Sequence, residues 1–182
     1  MKKLITAHGL TFEPLIDSTE IAARVAAIGH EIQEAYQTKH PLFLCVLNGA
    51  FVFAADLLRA CEIACEVSFV RLASYDGMAS KGEIKTVLGV DADLKGRHII
   101  VVEDIVDSGR TLHHFMSDLK KLEPASIALA VLLVKPDAIE FPVQIDYKGF
   151  DIANKFVVGY GLDYDGLCRN LKDVYQLYTE DE

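Results

Sequence analysis

The chain has 182 residues, of which 51% are hydrophobic and 25% charged, with a formal net charge of -9. This length gives one domain, or one domain with a small accessory part, and enough apolar content for a sizeable core. The negative charge argues against nonspecific nucleic-acid binding, which needs basic surface, and no apolar run approaches the about eighteen residues of a membrane span.

The start, "MKKLITAHGL", has two lysines but no following apolar core and no small-residue cleavage site, so no signal peptide is expected. The cysteines are Cys45, Cys61, Cys65 and Cys168; they form no CxxC pair and no zinc spacing. Reduced thiols in a cytoplasmic protein are expected.

"DSTEIAARVAAIGHEIQEAY", residues 17–36, reads as a helix. Asp17 or Ser18 caps it, with Glu20 three residues after Asp17 as in a capping box. Ile21, Val25, Ile28 and Ile32 recur at helical spacing. "LFLCVL", residues 42–47, is wholly apolar, as in a strand covered on both faces. Asn48-Gly49 turns the chain into a second helix, "FVFAADLLRA". "CEVSFVRLA" alternates partly and reads as a strand. "SYDGMASKGEIK" is polar, with Gly77 and Gly82, and reads as a loop. "HIIVV" is a further buried strand, "TLHHFMSDLKKL" a helix followed by Pro124, and "SIALAVLLV" a strand. Beyond Pro136 the pattern loosens into short runs: "FPVQIDYKGF", "KFVVGYG" and "DVYQLY". There is no repeat, low-complexity tract or linker. Strands alternating with helices predict βαβ units and an α/β fold with a parallel sheet.

In such sheets, ligands bind outside the carboxyl ends of the strands. One of those ends carries "VVEDIVDSGRTL", residues 101–112. Here Glu103 and Asp104 are expected to terminate the strand "HIIVV", and Asp107 to Thr111 to turn into the next helix. Gly109 permits a positive φ, Ser108 and Thr111 offer hydroxyls, and the helix N-terminus offers free N–H groups: a site for a phosphate. Neither a Walker A loop nor a GxGxxG fingerprint is present. Carboxylates beside a phosphate repel it unless they face hydroxyls or Mg²⁺. A sugar phosphate with free hydroxyls and a metal-bound pyrophosphate satisfies both conditions. A mere helix cap needs neither three acids nor a glycine turn.

That stretch resembles the phosphoribosyl-pyrophosphate (PRPP) motif of the type I phosphoribosyltransferases, two acids and then a D-[ST]-G-x-T loop. "VLNGAFVFAADLL", "SYDGMASKGEIK", "LLVKP" and "KFVVGYGLDYDGLCRNL" resemble segments of the hypoxanthine-guanine phosphoribosyltransferases. The likeness runs from about residue 10 to the C-terminal residues. It implies a single domain over 1–182, with a parallel-sheet core at about 15–135. A small hood at about 136–182, with some N-terminal contribution, completes it.

The resemblance also implies roles. Glu103 and Asp104 face the ribose hydroxyls, and Asp107, Ser108, Gly109, Arg110 and Thr111 cradle the 5-phosphate. Asp107 lies near the purine N7 as general acid/base. Lys135 donates to the 6-oxygen, Phe156 stacks on the ring, and the Val157 backbone reads its edge. Asn48, Gly49 and Arg169 contact pyrophosphate. Asp163, with Glu103 and Asp104, is the expected metal set for Mg²⁺. Ser74 and Tyr75 belong to a mobile loop, residues 74–85, that closes over PRPP. The implied substrates are PRPP and hypoxanthine or guanine; pyrophosphate and IMP or GMP leave as products. A homodimer or homotetramer is implied, with no nucleic-acid or membrane partner.

The residue types suit that chemistry. Pyrophosphate departure leaves positive charge on the ribose, as in glycoside cleavage, and no covalent nucleophile is evident. A lysine has only donors, so it accepts a 6-oxo group and meets the 6-amino group of adenine donor to donor. Taken singly, each residue has a plainer reading. Lys135 is a strand end, Phe156 a core residue, Asp163 a turn residue with Asp165 as its rival, and Arg169 a surface cation. His113 and His114 read as one packed and one solvated residue, not ligands. Asn48 departs from several relatives, which carry a basic residue there. Two alternatives stay open at this point: a non-catalytic PRPP-binding regulator of the same fold, and a transferase preferring xanthine.

Overall fold

The computed structural model describes residues 4–73, 85–88 and 93–179. The first half runs β1 (Ile5–Ala7), β2 (Leu10–Ile16), α1 (Ser18–Tyr36), β3 (Leu42–Leu47), α2 (Phe51–Ala60), β4 (Glu66–Ala73) and β5 (Lys85–Leu88). The second half runs β6 (His98–Val106), α3 (Arg110–Lys121), β7 (Ser126–Val134), β8 (Tyr147–Asp151), β9 (Val157–Val158) and β10 (Val174–Leu177).

The large sheet has the order β5-β4-β3-β6-β7-β8. All its pairs are parallel except β4–β5, which is antiparallel. The unbroken apolar runs become its central strands because helices cover both faces. Alternate residues of each strand point to opposite sides. Phe43, Cys45, Ile100 and Val102 pack with Ile28, Ile32, Phe53 and Leu57 of α1 and α2. Leu44, Val46, Ile99 and Val101 pack with Leu112, Phe115 and Leu119 of α3.

The first helix is capped as its sequence predicts. Asp17 Oδ1 accepts from the N–H groups of Thr19 and Glu20, both at 2.9 Å. Gly29 lets α2 approach α1: a Cβ there would lie 2.6 Å from the Cβ of Ala60.

One boundary differs from expectation. Glu103 and Asp104 do not end the strand; β6 continues to Val106. The ladder with β7 carries it on, through Glu103↔Val131 and Ile105↔Leu133. The pairing with β3 on the other side stops at Val102. Both acids therefore sit in a hydrogen-bonded strand with one edge newly opened.

A second, four-stranded antiparallel sheet has the order β1-β2-β10-β9. It joins N-terminal strands to C-terminal ones, around buried Ala7, Phe12, Val158 and Tyr175. β8 pairs with β7 and so belongs to the large sheet.

Candidate active site

The carboxyl ends of β3, β6 and β7 meet beside the second sheet. Gly109 supplies the turn out of β6, with φ 77°, and stands as the N-cap of α3. The Ser108 Oγ accepts from the Arg110 N–H at 3.4 Å. A cavity of about 280 Å³ opens here, lined by Gly49, Glu103, Asp104 and the whole run from Asp107 to Leu112. Free N–H groups at a helix start, with nearby hydroxyls, suit an anion.

The two acids of β6 have different surroundings. Burial, then the neighbouring Asp104 carboxylate, pushes the Glu103 carboxyl well above the ordinary glutamate range. The Asp104 Oδ1 accepts from the Ile105 N–H at 2.9 Å. Gly49 is pressed against it, and a Cβ there would overlap the Asp104 carboxylate. On its other side Gly49 is met by Gly161, where a Cβ would overlap the Gly49 carbonyl oxygen. The Asn48-Gly49 turn thus lies between β6 and the loop after β9, with the Asn48 side exposed.

A second cavity, of about 270 Å³, adjoins the first and shares Gly49, Asp104, Ile105 and Asp107 with it. Lys135, Phe156, Val157, Leu162, Asp163 and Arg169 complete its wall. Lys135 follows β7, and its N–H donates to the Val106 carbonyl at 2.9 Å. Its Nζ donates to Asp107 Oδ2 at 2.7 Å. Phe156 leaves 43% of its surface exposed, toward this cavity. Behind it Tyr164 stands edge-on at 5.6 Å and Phe12 lies tilted at 6.2 Å. Asp163 accepts from the Gly166 N–H at 2.8 Å and pairs with Arg169 at 2.7 Å. Arg169 also donates to the Gly161 carbonyl at 2.8 Å. Asp165, the rival acid, is exposed in the turn and lines neither cavity. An anion cradle thus adjoins a slot with an aromatic wall and a buried ammonium.

The phosphoribosyl transferase domain family matches residues 14–165 of this sequence. The chain belongs to the phosphoribosyltransferase family. It is 39% identical to a hypoxanthine phosphoribosyltransferase of Salmonella typhimurium over 175 residues, 94% of this chain and 98% of that one. It is 37% identical to a hypoxanthine phosphoribosyltransferase of Haemophilus influenzae, over 92% of this chain and 96% of that one. A Trypanosoma cruzi hypoxanthine phosphoribosyltransferase mutant, solved as a ternary substrates complex, superposes with a TM-score of 0.85 at 35% identity, covering 91% of this chain and 94% of that one.

Within this phosphoribosyltransferase, the structure brings together most of the residues singled out from sequence. Ser74, Tyr75 and the predicted closing loop up to residue 84, with Gly77 and Gly82, lie outside the described residues, and its last residue, Lys85, opens β5. Arg110 lines the first cavity, but its guanidinium faces the Phe141 ring at 5.1 Å and Glu140 at 3.6 Å. Its expected place in the cradle is left to its backbone. His113 is partly buried, with Nδ1 2.8 Å from the Pro142 carbonyl oxygen, and His114 is exposed.

Among the described residues, no three or more His, Cys, Asp or Glu side chains cluster where they would hold a metal ion. Mg²⁺ does not require such a cage; it takes one or two carboxylates and fills its shell with phosphate oxygens and water. Asp163 fits that use, as a carboxylate on the cavity wall with 29% of its side chain exposed.

Sequence reasoning missed Tyr164, Phe12 and Gly161. The tyrosine in "GLDYDG" was a usable signal, since a large aromatic in a polar turn needs something to pack on. Phe12 and Gly161 gave none, because their partners are distant in the chain.

Proposed function

We propose that this chain is a purine-salvage enzyme that transfers the 5-phosphoribosyl group of PRPP to N9 of hypoxanthine, and also of guanine. The observation that carries this is the Lys135–Asp107 pair in a slot that adjoins the anion cradle. IMP or GMP and pyrophosphate are the products.

The residues then divide the work. The 5-phosphate occupies the turn of Ser108, Gly109 and Thr111, held by backbone N–H groups and hydroxyls. Glu103 and Asp104 face the ribose hydroxyls. The purine lies on Phe156, with its edge toward the Val157 backbone and its 6-oxygen toward Lys135. Asn48 and Gly49, by backbone, and Arg169 lie toward pyrophosphate.

The purine N9 forms a bond to the ribose C1 while the bond from C1 to the pyrophosphate oxygen breaks. Positive charge develops on the ribose as that bond lengthens. Asp107, in reach of the N7 side, takes the N7 proton as the ring becomes the nucleotide. Lys135 holds the 6-oxygen and, by offering only donors, rejects the 6-amino group of adenine. Asp163 and the two acids of β6 are the residues available to Mg²⁺. When bound, that ion neutralises the pyrophosphate leaving group.

No helix among the described residues is long and apolar enough to cross a membrane. The four cysteines are free, and burial pushes the Cys45 and Cys61 thiols up to about 12. Unpaired, unreactive thiols suit the reducing cytoplasm.

The test is pyrophosphate release from PRPP and Mg²⁺ with hypoxanthine, guanine, xanthine and adenine supplied singly. Turnover with hypoxanthine and guanine, and silence with adenine, is expected. PRPP binding without turnover on any base would overturn the enzymatic reading in favour of a regulator.

A further inference from the structure

The phosphate turn has a second stretch of chain along its back. The Ser108 carbonyl accepts from the N–H groups of Glu140 and Phe141, at 3.1 and 3.0 Å. The Phe141 carbonyl comes so close to Gly109 that a Cβ there would lie 2.5 Å from its oxygen. His113 Nδ1, which carries the proton if it donates, is 2.8 Å from the Pro142 carbonyl oxygen. The Phe141 ring lies 6.0 Å from the His113 ring and 6.2 Å from the His114 ring. The Arg110 guanidinium covers the Phe141 ring at 5.1 Å and reaches Glu140 at 3.6 Å.

This second stretch begins at Lys135, which is itself bonded to Val106 and Asp107. Residues 135–142 therefore run beside residues 106–113 and touch them at both ends. None of the groups contributed by Glu140, Phe141 or Pro142 lines either cavity of the site. Their contacts act on the turn and not on a ligand.

We propose that Phe141 is a positioning residue for the 5-phosphate turn, and that residues 135–142 form a strap tying that turn to the base-reading Lys135. Arg110 belongs to the same device: its side chain braces the turn from behind through Phe141 and does not reach the phosphate. The physical reason is geometric. Backbone N–H groups hold a phosphate only while the turn keeps its left-handed glycine and its helix start in place. A ring packed behind that turn limits its other conformations before the ligand arrives, which lowers the ordering cost at binding. This inference rests on the phosphoribosyl-transfer reading above.

Steady-state kinetics of Phe141→Ala, Phe141→Tyr, Arg110→Ala and the Arg110→Ala/Phe141→Ala double variant test it. Phe141→Ala is expected to raise KM for PRPP about tenfold, with kcat and the KM for hypoxanthine changed by no more than about twofold. Phe141→Tyr restores the ring and the low KM. The double variant is no worse than the worse single one, because both remove the same brace. An unchanged KM for PRPP in folded Phe141→Ala would overturn the proposal. So would an equal rise in both KM values, or additive losses, which point to Arg110 meeting the phosphate directly. Should Phe141→Ala not fold, Phe141→Leu keeps the bulk without the ring face, and the same split is read on it. Ribose 5-phosphate binding separates the two readings. Wild-type protein that binds it without turning over any base overturns the enzymatic reading alone. The strap is then scored by the affinity that Phe141→Ala loses.

Discussion

Lys135 and Asp107 share one hydrogen bond from opposite environments: Nζ lies 2.7 Å from Oδ2, with the lysine side chain 7% exposed and the carboxylate 56% exposed. Asp107 takes one of the three donors of the ammonium, and among the described residues no other hydrogen bond from Nζ is found. An acceptor on a ligand is what the buried end can still take, while the half-exposed aspartate stands on the wall of the same cavity.

Replacing Lys135 with Met keeps the length and removes the donors. The KM for hypoxanthine should rise and kcat/KM fall by about 10- to 100-fold, the worth of a hydrogen bond to a charged group. The KM for PRPP should change far less. Initial rates against each substrate in turn check this, and equal losses on both would point to collapse of the slot.

Asp107→Asn keeps the shape and the contact with Lys135 but can no longer take a proton. A fall in kcat of about 10²- to 10⁴-fold is expected, with ligand binding retained. Single-turnover rates with prebound PRPP measure the chemical step alone. Full activity in this variant would sink the assignment of Asp107 as the base.

Glu103 gives a pH dependence with a definite sign. Its folded carboxyl titrates above the unfolded value because burial and Asp104 disfavour its charge. The folded state therefore binds the extra proton between the two values, and stability falls as pH rises through that window. Glu103→Gln removes the titration. Its melting temperature should exceed that of the wild type by more at pH 8 than at pH 5, while its kcat/KM falls. Thermal unfolding at the two pH values reads the difference; an advantage confined to the acid side would reverse the argument.

Two glycines should fail in different ways. A Cβ at Gly49 overlaps only the Asp104 side chain on the β6 face, which can rotate away. Gly49→Ala should melt near the wild-type temperature yet lose about 100-fold in kcat/KM, since a displaced catalytic-site group is costly. At Gly29 the obstruction is Ala60, including its backbone at 2.8 Å. Gly29→Ala should lower the melting temperature by several degrees and leave the kcat of the folded fraction intact.

The parallel sheet was legible because residues 42–47, 99–102 and 127–134 are apolar without interruption, as suits strands covered on both faces. The end of β6 was not, because Glu103 and Asp104 look like terminators until the β7 partner is seen to continue past them. β1 and β2 were also hidden. "LTFEPLI" carries Glu13 and Pro14, which spoil its alternation, and its partner β10 is supplied by the far end of the chain. At the site, the glycine turn and its acids could be read from local spacing alone. The pairing of Arg169 with Asp163, the outward turn of Arg110 and the Tyr164 support of Phe156 could not, since each depends on a loop path that no periodicity encodes.

The second sheet pairs Phe12 with Leu177 and Ile16 with Val174. During synthesis, the stretch that makes β3, β6 and β7 leaves the ribosome well before β10 does. The acids of β6 and the phosphate turn can be assembled on a nascent chain, because their supports are already out. The wall carrying Phe156, Asp163 and Arg169 must wait for the final strand to clip onto β2. A stalled or shortened polypeptide would thus own an anion cradle with no finished seat for a purine, so only the full-length chain joins the two halves of the site.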